Sequence, residues 1–221
     1  MPDDLHKVME PVETARGLPN AHYISDEVFA EEREKVLFAN WSSIAFAHDV
    51  PDAGDVMPID FAGLPLFMVR TKSGEIRVYE NVCRHRGMTL VAEKKNIGSG
   101  VIRCFYHSWC YAQTGELVTT PHVGGPGQNR HDNIERKNLG LIEVRSYVWF
   151  GVVFVNVSGA ALDFEEYAAD ALERWKDFRE QKFIGSSENM LQFDVRSNWK
   201  LPVENYCESY HLPWVHPGLN S

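Results

Sequence analysis

Four cysteines in 221 residues are too few for a disulfide scaffold. They leave a reducing compartment, the cytoplasm, as the expected setting. No apolar run is long enough to cross a bilayer, since the longest, residues 148–155, falls far short. The opening Met1-Pro2-Asp3-Asp4 lacks the apolar core of a secretion signal. Basic residues are the minority: 22 Lys and Arg face 31 Asp and Glu, a formal net charge of −9. Nucleic acid is therefore not an expected partner, because a phosphate backbone asks for a basic face, and neither is a membrane. Internal repeats and low-complexity tracts are missing too. What is there is 44% hydrophobic and 24% charged, the balance of a globular protein with room for one large domain or two modest ones.

Residues before about 20 show no periodicity. Ser25 then reads as a helix N-cap, with Ile24 and Phe29 as a hydrophobic staple, opening a packing helix toward Phe38. From Trp41 the texture is β. Residues 42–48 and 55–60 read as strands, and residues 66–70 and 76–79 flank Lys72-Ser73-Gly74 as a hairpin. Thr114-Gly115-Glu116 marks another turn, residues 121–133 a loop, and residues 141–144 and 148–157 the closing strands. Many short strands predict a small barrel or sandwich. Beyond Ser158-Gly159, residues 163–181 predict an amphipathic helix. Phe164, Tyr167, Leu172, Trp175 and Phe178 share one face, and Asp163 and Glu166 stand at capping-box spacing. Residues 191–196 alternate like a strand. The expected division is an arm and helix over 1–39, a β domain over 40–158 and the start of a further domain over 159–221.

Two Cys–His pairs carry the chemistry. Cys83 and His85 form C-x-H, and Cys104 and His107 form C-x2-H. Two thiolates on one iron and two neutral imidazoles on the other are the protein ligands of a Rieske-type [2Fe-2S] cluster. A Cys2His2 zinc site takes the same ligand types, although C-x-H suits zinc modules poorly. Gly87 would let backbone amides approach the cluster sulfides. Near the C-terminus, Glu204, Glu208 and His211 stand at i, i+4 and i+7, one face of a helix. Pro213 is expected to end that helix and turn His216 back toward His211. Two histidines with open positions suit mononuclear non-haem iron.

The stretch Cys-Arg-His-Arg-Gly-Met-x-Leu at 83–90, followed by Cys-Phe-Tyr-His-Ser-Trp-x-Tyr-x-x-x-Gly-Glu-Leu at 104–117, resembles the Rieske domain of ring-hydroxylating-type non-haem iron oxygenase α subunits. The usual second loop reads Cys-Pro-Tyr-His-Gly-Trp, so Phe105 and Ser108 are departures. Met88 and Tyr106 stand where respiratory Rieske proteins carry a disulfide, which favours the oxygenase branch. Cys110 and Cys207 are then expected core residues. Asn-Trp-Lys-x-x-x-Glu-Asn-Tyr-x-Glu-x-Tyr-His-x-x-x-x-His-Pro at 198–217 resembles the opening of the same family's catalytic domain.

The resemblance implies an α+β chain: an all-β Rieske [2Fe-2S] domain with an N-terminal helical segment, then the beginning of a helix-grip catalytic domain. It implies cluster ligation by Cys83, His85, Cys104 and His107, and Fe(II) ligation by His211 and His216. It gives Glu208 the catalytic link between His107 of a neighbouring subunit and His211, hence a homotrimer. Glu204 would support the site rather than ligate. Electrons from NAD(P)H would arrive through a flavin/iron–sulfur reductase, with or without a ferredoxin, pass to the cluster and then to the mononuclear iron. There O2 would be activated for hydroxylation or N-demethylation of a small organic substrate. Glu, where Asp is commoner, points to a quaternary amine; the alternative is an aromatic ring-hydroxylating dioxygenase. The family's third iron ligand is an Asp further downstream, so the chain is expected to be a truncated N-terminal part, inactive alone. The rival of another class is a Rieske ferredoxin-like electron carrier.

Overall fold

Residues 64–70 are apolar at odd and even positions alike, which asks for a strand covered on both faces. The computed structural model of the protein, which describes residues 5–98, 100–191 and 193–219, makes this stretch an interior strand. In chain order the elements begin with α1 (Ala21–Ile24), α2 (Asp26–Glu32) and a π-helical turn, Arg33–Phe38. Ten strands follow: β1 (Ser42–Phe46), β2 (Asp55–Phe61), β3 (Leu64–Arg70), β4 (Ile76–Glu80), β5 (Lys95–Asn96), β6 (Val101–Arg103), β7 (Cys110–Ala112), β8 (Leu117–Thr119), β9 (Glu143–Trp149) and β10 (Val152–Asn156). Four short helices complete the chain: α3 (Phe164–Tyr167), α4 (Ala169–Arg174), α5 (Lys200–Tyr206) and α6 (Leu212–Val215). Two compact units result, residues 35–190 and, separately, the chain up to Glu34 with the chain from Leu191.

In the β-rich unit the strands form an antiparallel sheet in the order β1-β10-β9-β4-β3-β2-β5 and a second sheet, β6-β7-β8. Alternation along β3 sends Phe67 and Val69 into a core shared with Tyr79, Ile102, Trp109, Tyr111 and Leu117. Leu66 and Met68 go to the opposite core, with Val50, Val78, Val144, Val153 and Val155. Each such side chain contributes about 1.5–3 kcal/mol by leaving water. The first core contains Cys83 and Cys104, so the same burial that holds the two sheets fixes the roots of both Cys–His loops.

Several local expectations hold. Ser25 caps α2 by accepting the Val28 N–H at 3.3 Å, and β3–β4 and β7–β8 are hairpins. Others do not. Residues 148–157 are not one strand but the end of β9 and all of β10, joined by a tight turn at Phe150-Gly151. Both turn residues have positive φ, 49° and 78°. Phe150 tolerates this because its ring packs on Trp149, Trp175 and Phe183. The helix expected over 163–181 breaks into α3, α4 and a 3-10 turn. Its two ends are held at different aromatic groups, Phe164 stacking on Tyr147 and Trp175 packing on Phe150. Asp163 makes no capping bond, because it is ion-paired with Arg145. Residues 191–196 form no strand. Leu191, Phe193 and Val195 are exposed, and their backbone joins no ladder among the described residues, without which an extended segment gains nothing. Gln192 lies outside the described residues. Ile24 is largely exposed, too open to close the expected staple.

Past the sheet, a buried carboxylate holds residues 183–189 to the β-rich unit. Asp49, fully buried, accepts N–H bonds from Ser187 at 2.7 Å and Phe46 at 3.1 Å, and the Ser187 hydroxyl at 2.8 Å. Lys94 pairs with Glu188 beside it.

Candidate metal centres

The two Cys–His loops are built alike. In the first, the Cys83 N–H donates to Met88 O at 2.8 Å and the Gly87 N–H to Cys83 O at 3.0 Å. In the second, the Cys104 N–H donates to Trp109 O at 2.9 Å and the Ser108 N–H to Cys104 O at 3.0 Å. Gly87 and Ser108 are thus equivalent positions, and both are left-handed, with φ of 73° and 56°. The turn that glycine enters freely costs serine strain. Histidine occupies the third residue of one loop and the fourth of the other, and the two imidazoles meet with ring centres 4.6 Å apart.

Two side chains that sequence reasoning gave no role set these loops. Asn81, buried at the end of β4, accepts the N–H groups of Leu90 and Val91 at 3.0 and 2.9 Å and donates to Val91 O at 2.7 Å. It thereby closes the first loop. Tyr111 on β7 takes the Arg84 N–H at 3.0 Å on its hydroxyl, which lies 3.2 Å from Cys83 Sγ. Accepting from Arg84, it still has a proton to offer a Cys83 thiolate, and burial pushes its own pKa up. Only its place two residues after Trp109 could have signalled it.

The donor set fits the cluster. Cys83 and Cys104 are free and buried. Burial, with Cys83 close by, pushes the Cys104 thiol up, against the pull of the Tyr106 and His107 N–H groups. His85 is held down, by desolvation first and by His107 and Arg86 next, which keeps its imidazole neutral and its lone pair free. Trp109 stacks on it at 4.6 Å and 12°. His107 Nδ1 is buried with no hydrogen-bond partner, an exception that calls for an ion or other unseen partner. Around the loops Phe105 and Tyr106 are 71% and 56% exposed.

At the other site the expected helix face does not form. α5 ends at Tyr206, with Cys207 as its cap. The Glu208 carboxylate accepts the backbone N–H groups of Tyr210 and His211, a local bond that competes with helix continuation. Pro213 opens α6 instead of ending a helix, a place where its missing N–H costs nothing. The outcome still brings the groups together: Glu208 Oε1 bonds His211 Nδ1, and the His211 and His216 ring centres lie 5.5 Å apart. The bond from the His211 ring, with the backbone N–H groups of Tyr210 and His211 adding to it, holds the Glu208 carboxyl below the usual range. Cys207, Glu208, His211, Leu212 and His216 line an open cavity of about 590 Å³. Cys110 is buried as expected; Cys207 is exposed, so it is not a core residue here. Glu204 lies away from these groups, accepting the Tyr23 hydroxyl at 2.7 Å. Among the described residues no three metal-ligating side chains converge.

Comparison with known proteins places the two stretches in two domains. Residues 40–144 match the Rieske [2Fe-2S] domain and residues 172–221 the ring hydroxylating alpha subunit catalytic domain. These are the Rieske domain and the opening of the catalytic domain of Rieske oxygenase α subunits, a family whose members use a [2Fe-2S] cluster, a mononuclear iron and O2, with electrons supplied by a reductase, on small-molecule substrates. It is 31% identical over 206 residues to the 2-aminobenzenesulfonate 2,3-dioxygenase α subunit of an Alcaligenes species, covering 90% of this chain and 50% of that one. It is 26% identical over 213 residues to the carnitine monooxygenase oxygenase subunit of Acinetobacter pittii, covering 94% and 54%. In fold it is similar to a quaternary ammonium Rieske monooxygenase described with inter-subunit electron transfer, with a TM-score of 0.75 at 24% identity over 91% of this chain and 53% of that one. The chain spans about half the length of the curated relatives it matches. The first match speaks against a zinc module, and the second against an electron carrier alone. No helix among the described residues is long and apolar enough to cross a membrane.

Proposed function

We propose that Cys83, Cys104, His85 and His107 hold a Rieske cluster, and that His211 and His216 ligate a mononuclear iron in an oxygenase acting on a small organic substrate. The observation that carries this reading is the buried, unpartnered Nδ1 of His107 between two loops of one build. Bound there, the cluster supplies one-electron transfer and the iron supplies O2 activation. The residues prepare those places. With Cys83 as a thiolate, the Tyr111 hydroxyl 3.2 Å away would donate to its Sγ and stabilise that form. Glu208, as acceptor, keeps the His211 proton on Nδ1, leaving the Nε2 lone pair for metal.

In the assembled protein Glu208 would also take the neighbouring subunit's His107, making a homotrimer, with a reductase as electron source and the cytoplasm as the compartment. A hydroxylation balances as substrate C–H with O2, two electrons and two protons giving C–OH and water. The favoured substrate class is a quaternary amine, supported by Glu208 and by the carnitine monooxygenase relative; hydroxylation beside nitrogen then releases the N-substituent. The dioxygenase relative supports the second reading, in which both oxygen atoms enter an aromatic ring. The cluster function resides in residues 40–158 and the catalytic one begins at 159.

Iron and sulfide analysis with an electron paramagnetic resonance spectrum of the reduced protein tests the first half; one zinc and no sulfide would refute it. Glu208→Gln tests the second. In the full-length enzyme it should leave metal loading intact and slow reductase-driven turnover at least ~10-fold, and unchanged coupled turnover there would refute the link.

A further inference from the structure

We propose that the ion pair of Glu32 and Lys200 is a positioning device for the Glu208–His211–His216 site, an inference that rests on the reading of that site given above. Lys200 is the first residue of α5 and only 9% exposed. Its Nζ donates to both Glu32 oxygens at 2.7 and 2.6 Å and to Asn198 Oδ1 at 2.7 Å. Trp199 Nε1 adds a bond to Glu32 Oε2 at 3.1 Å. One turn later on α5, Glu204 accepts the Tyr23 hydroxyl, and Asn198 Nδ2 reaches His22 O at 3.5 Å. Positions 200 and 204 share a helix face, and that face is bonded twice to α1 and α2.

α5 has only two turns, and it delivers the chain directly to Glu208. A helix this short has no stability of its own. Its start is fixed where Lys200 meets Glu32, and its roll is fixed by Tyr23 and Glu204. Moving either anchor moves the carboxylate that holds His211. Glu32 and Lys200 touch neither histidine, so they act through α5.

The test uses cluster-loaded protein with ferrous iron as the probe. Glu32→Gln alone leaves a buried ammonium without its counter-charge and lowers stability. The double variant Glu32→Leu with Lys200→Met removes both charges at similar volume, which buried pairs commonly tolerate. The double variant is expected to keep the wild-type melting temperature within a few degrees and the reduced-cluster spectrum unchanged. Its ferrous iron beyond the cluster should bind at least tenfold more weakly, with an altered nitric oxide adduct spectrum, while the single variant Lys200→Arg, with Glu32 in place, keeps most of the affinity. Wild-type iron affinity and adduct spectrum in the folded double variant would overturn the proposal. A double variant that fails to fold would also overturn it, by assigning the pair to folding alone. Ferrous iron uptake beyond the cluster that His211→Ala and His216→Ala leave unchanged would instead refute the reading of the site itself.

Discussion

The rings of His85 and His107 meet at 4.6 Å and 76°, one from each of two loops whose backbone hydrogen bonds are the same. His85 is stacked on Trp109, whereas His107 has a buried nitrogen with nothing to bond. The asymmetry makes His107 the more informative position to change. His107→Cys should keep a cluster but lower its reduction potential by about 100 mV or more, because a thiolate replaces a neutral imidazole. Protein-film voltammetry reads this directly, and an unchanged potential would remove His107 from the ligand set.

Tyr111→Phe removes the hydroxyl that serves Cys83 Sγ and leaves the Arg84 N–H without its acceptor. A hydrogen bond to the sulfur favours the more negative, reduced state. If it is about 1 kcal/mol stronger in that state, its loss lowers the potential by about 40 mV. The cluster should still assemble, so the shift is measurable at full iron content.

Ser108 occupies the left-handed position that Gly87 fills in the matching loop. Ser108→Gly should therefore stabilise the protein by about 1 kcal/mol, a rise in melting temperature of about 2–4 °C. Gly87→Ala should move it the other way. Calorimetry on both variants separates backbone strain from any role of the Ser108 hydroxyl.

Asp49 gives a pH dependence whose sign is fixed by its partners. Burial raises its pKa, but the Ser187 N–H and hydroxyl, the Phe46 N–H and the charge of Lys94 outweigh it, and the net shift is downward. A carboxyl with a depressed native pKa stabilises the fold above its unfolded value, about 3.9. That stability is lost as pH falls from there through the native pKa. The hydrogen-exchange protection of residues 183–190, corrected for the intrinsic rate, should therefore be constant near neutrality and fall below about pH 4. Asp49→Asn should loosen the segment at pH 7 by about 2 kcal/mol; protection equal to wild type would show that the bonds carry no net stability.

The meeting of the two Cys–His loops was readable from their spacing, because two matched turns each present one cysteine and one histidine. The hairpins at Lys72–Gly74 and Thr114–Glu116 were readable because glycine marks them. Phe150-Gly151 was not, since an aromatic residue in a left-handed turn becomes acceptable only through rings elsewhere in the fold. Asn81 and Tyr111 were hidden for the same reason: each acts on backbone that neighbouring residues do not reveal. Around Pro213 the reading failed on direction, because proline both ends a helix and begins one, and the Glu208 carboxylate decided between them. The joining of α2 to α5 left no trace at all, since no periodic signal links residues that far apart in sequence.

That joining bears on where the chain can be cut. A shortened protein beginning at residue 40, where the Rieske match starts, would retain every cluster candidate and also Glu208, His211 and His216. It would discard Tyr23 and Glu32, leaving Lys200 and Glu204 to face water. Such a truncation would look complete by its motifs and cluster spectrum while α5 had lost both of its anchors, so the first thirty-odd residues belong to the last thirty.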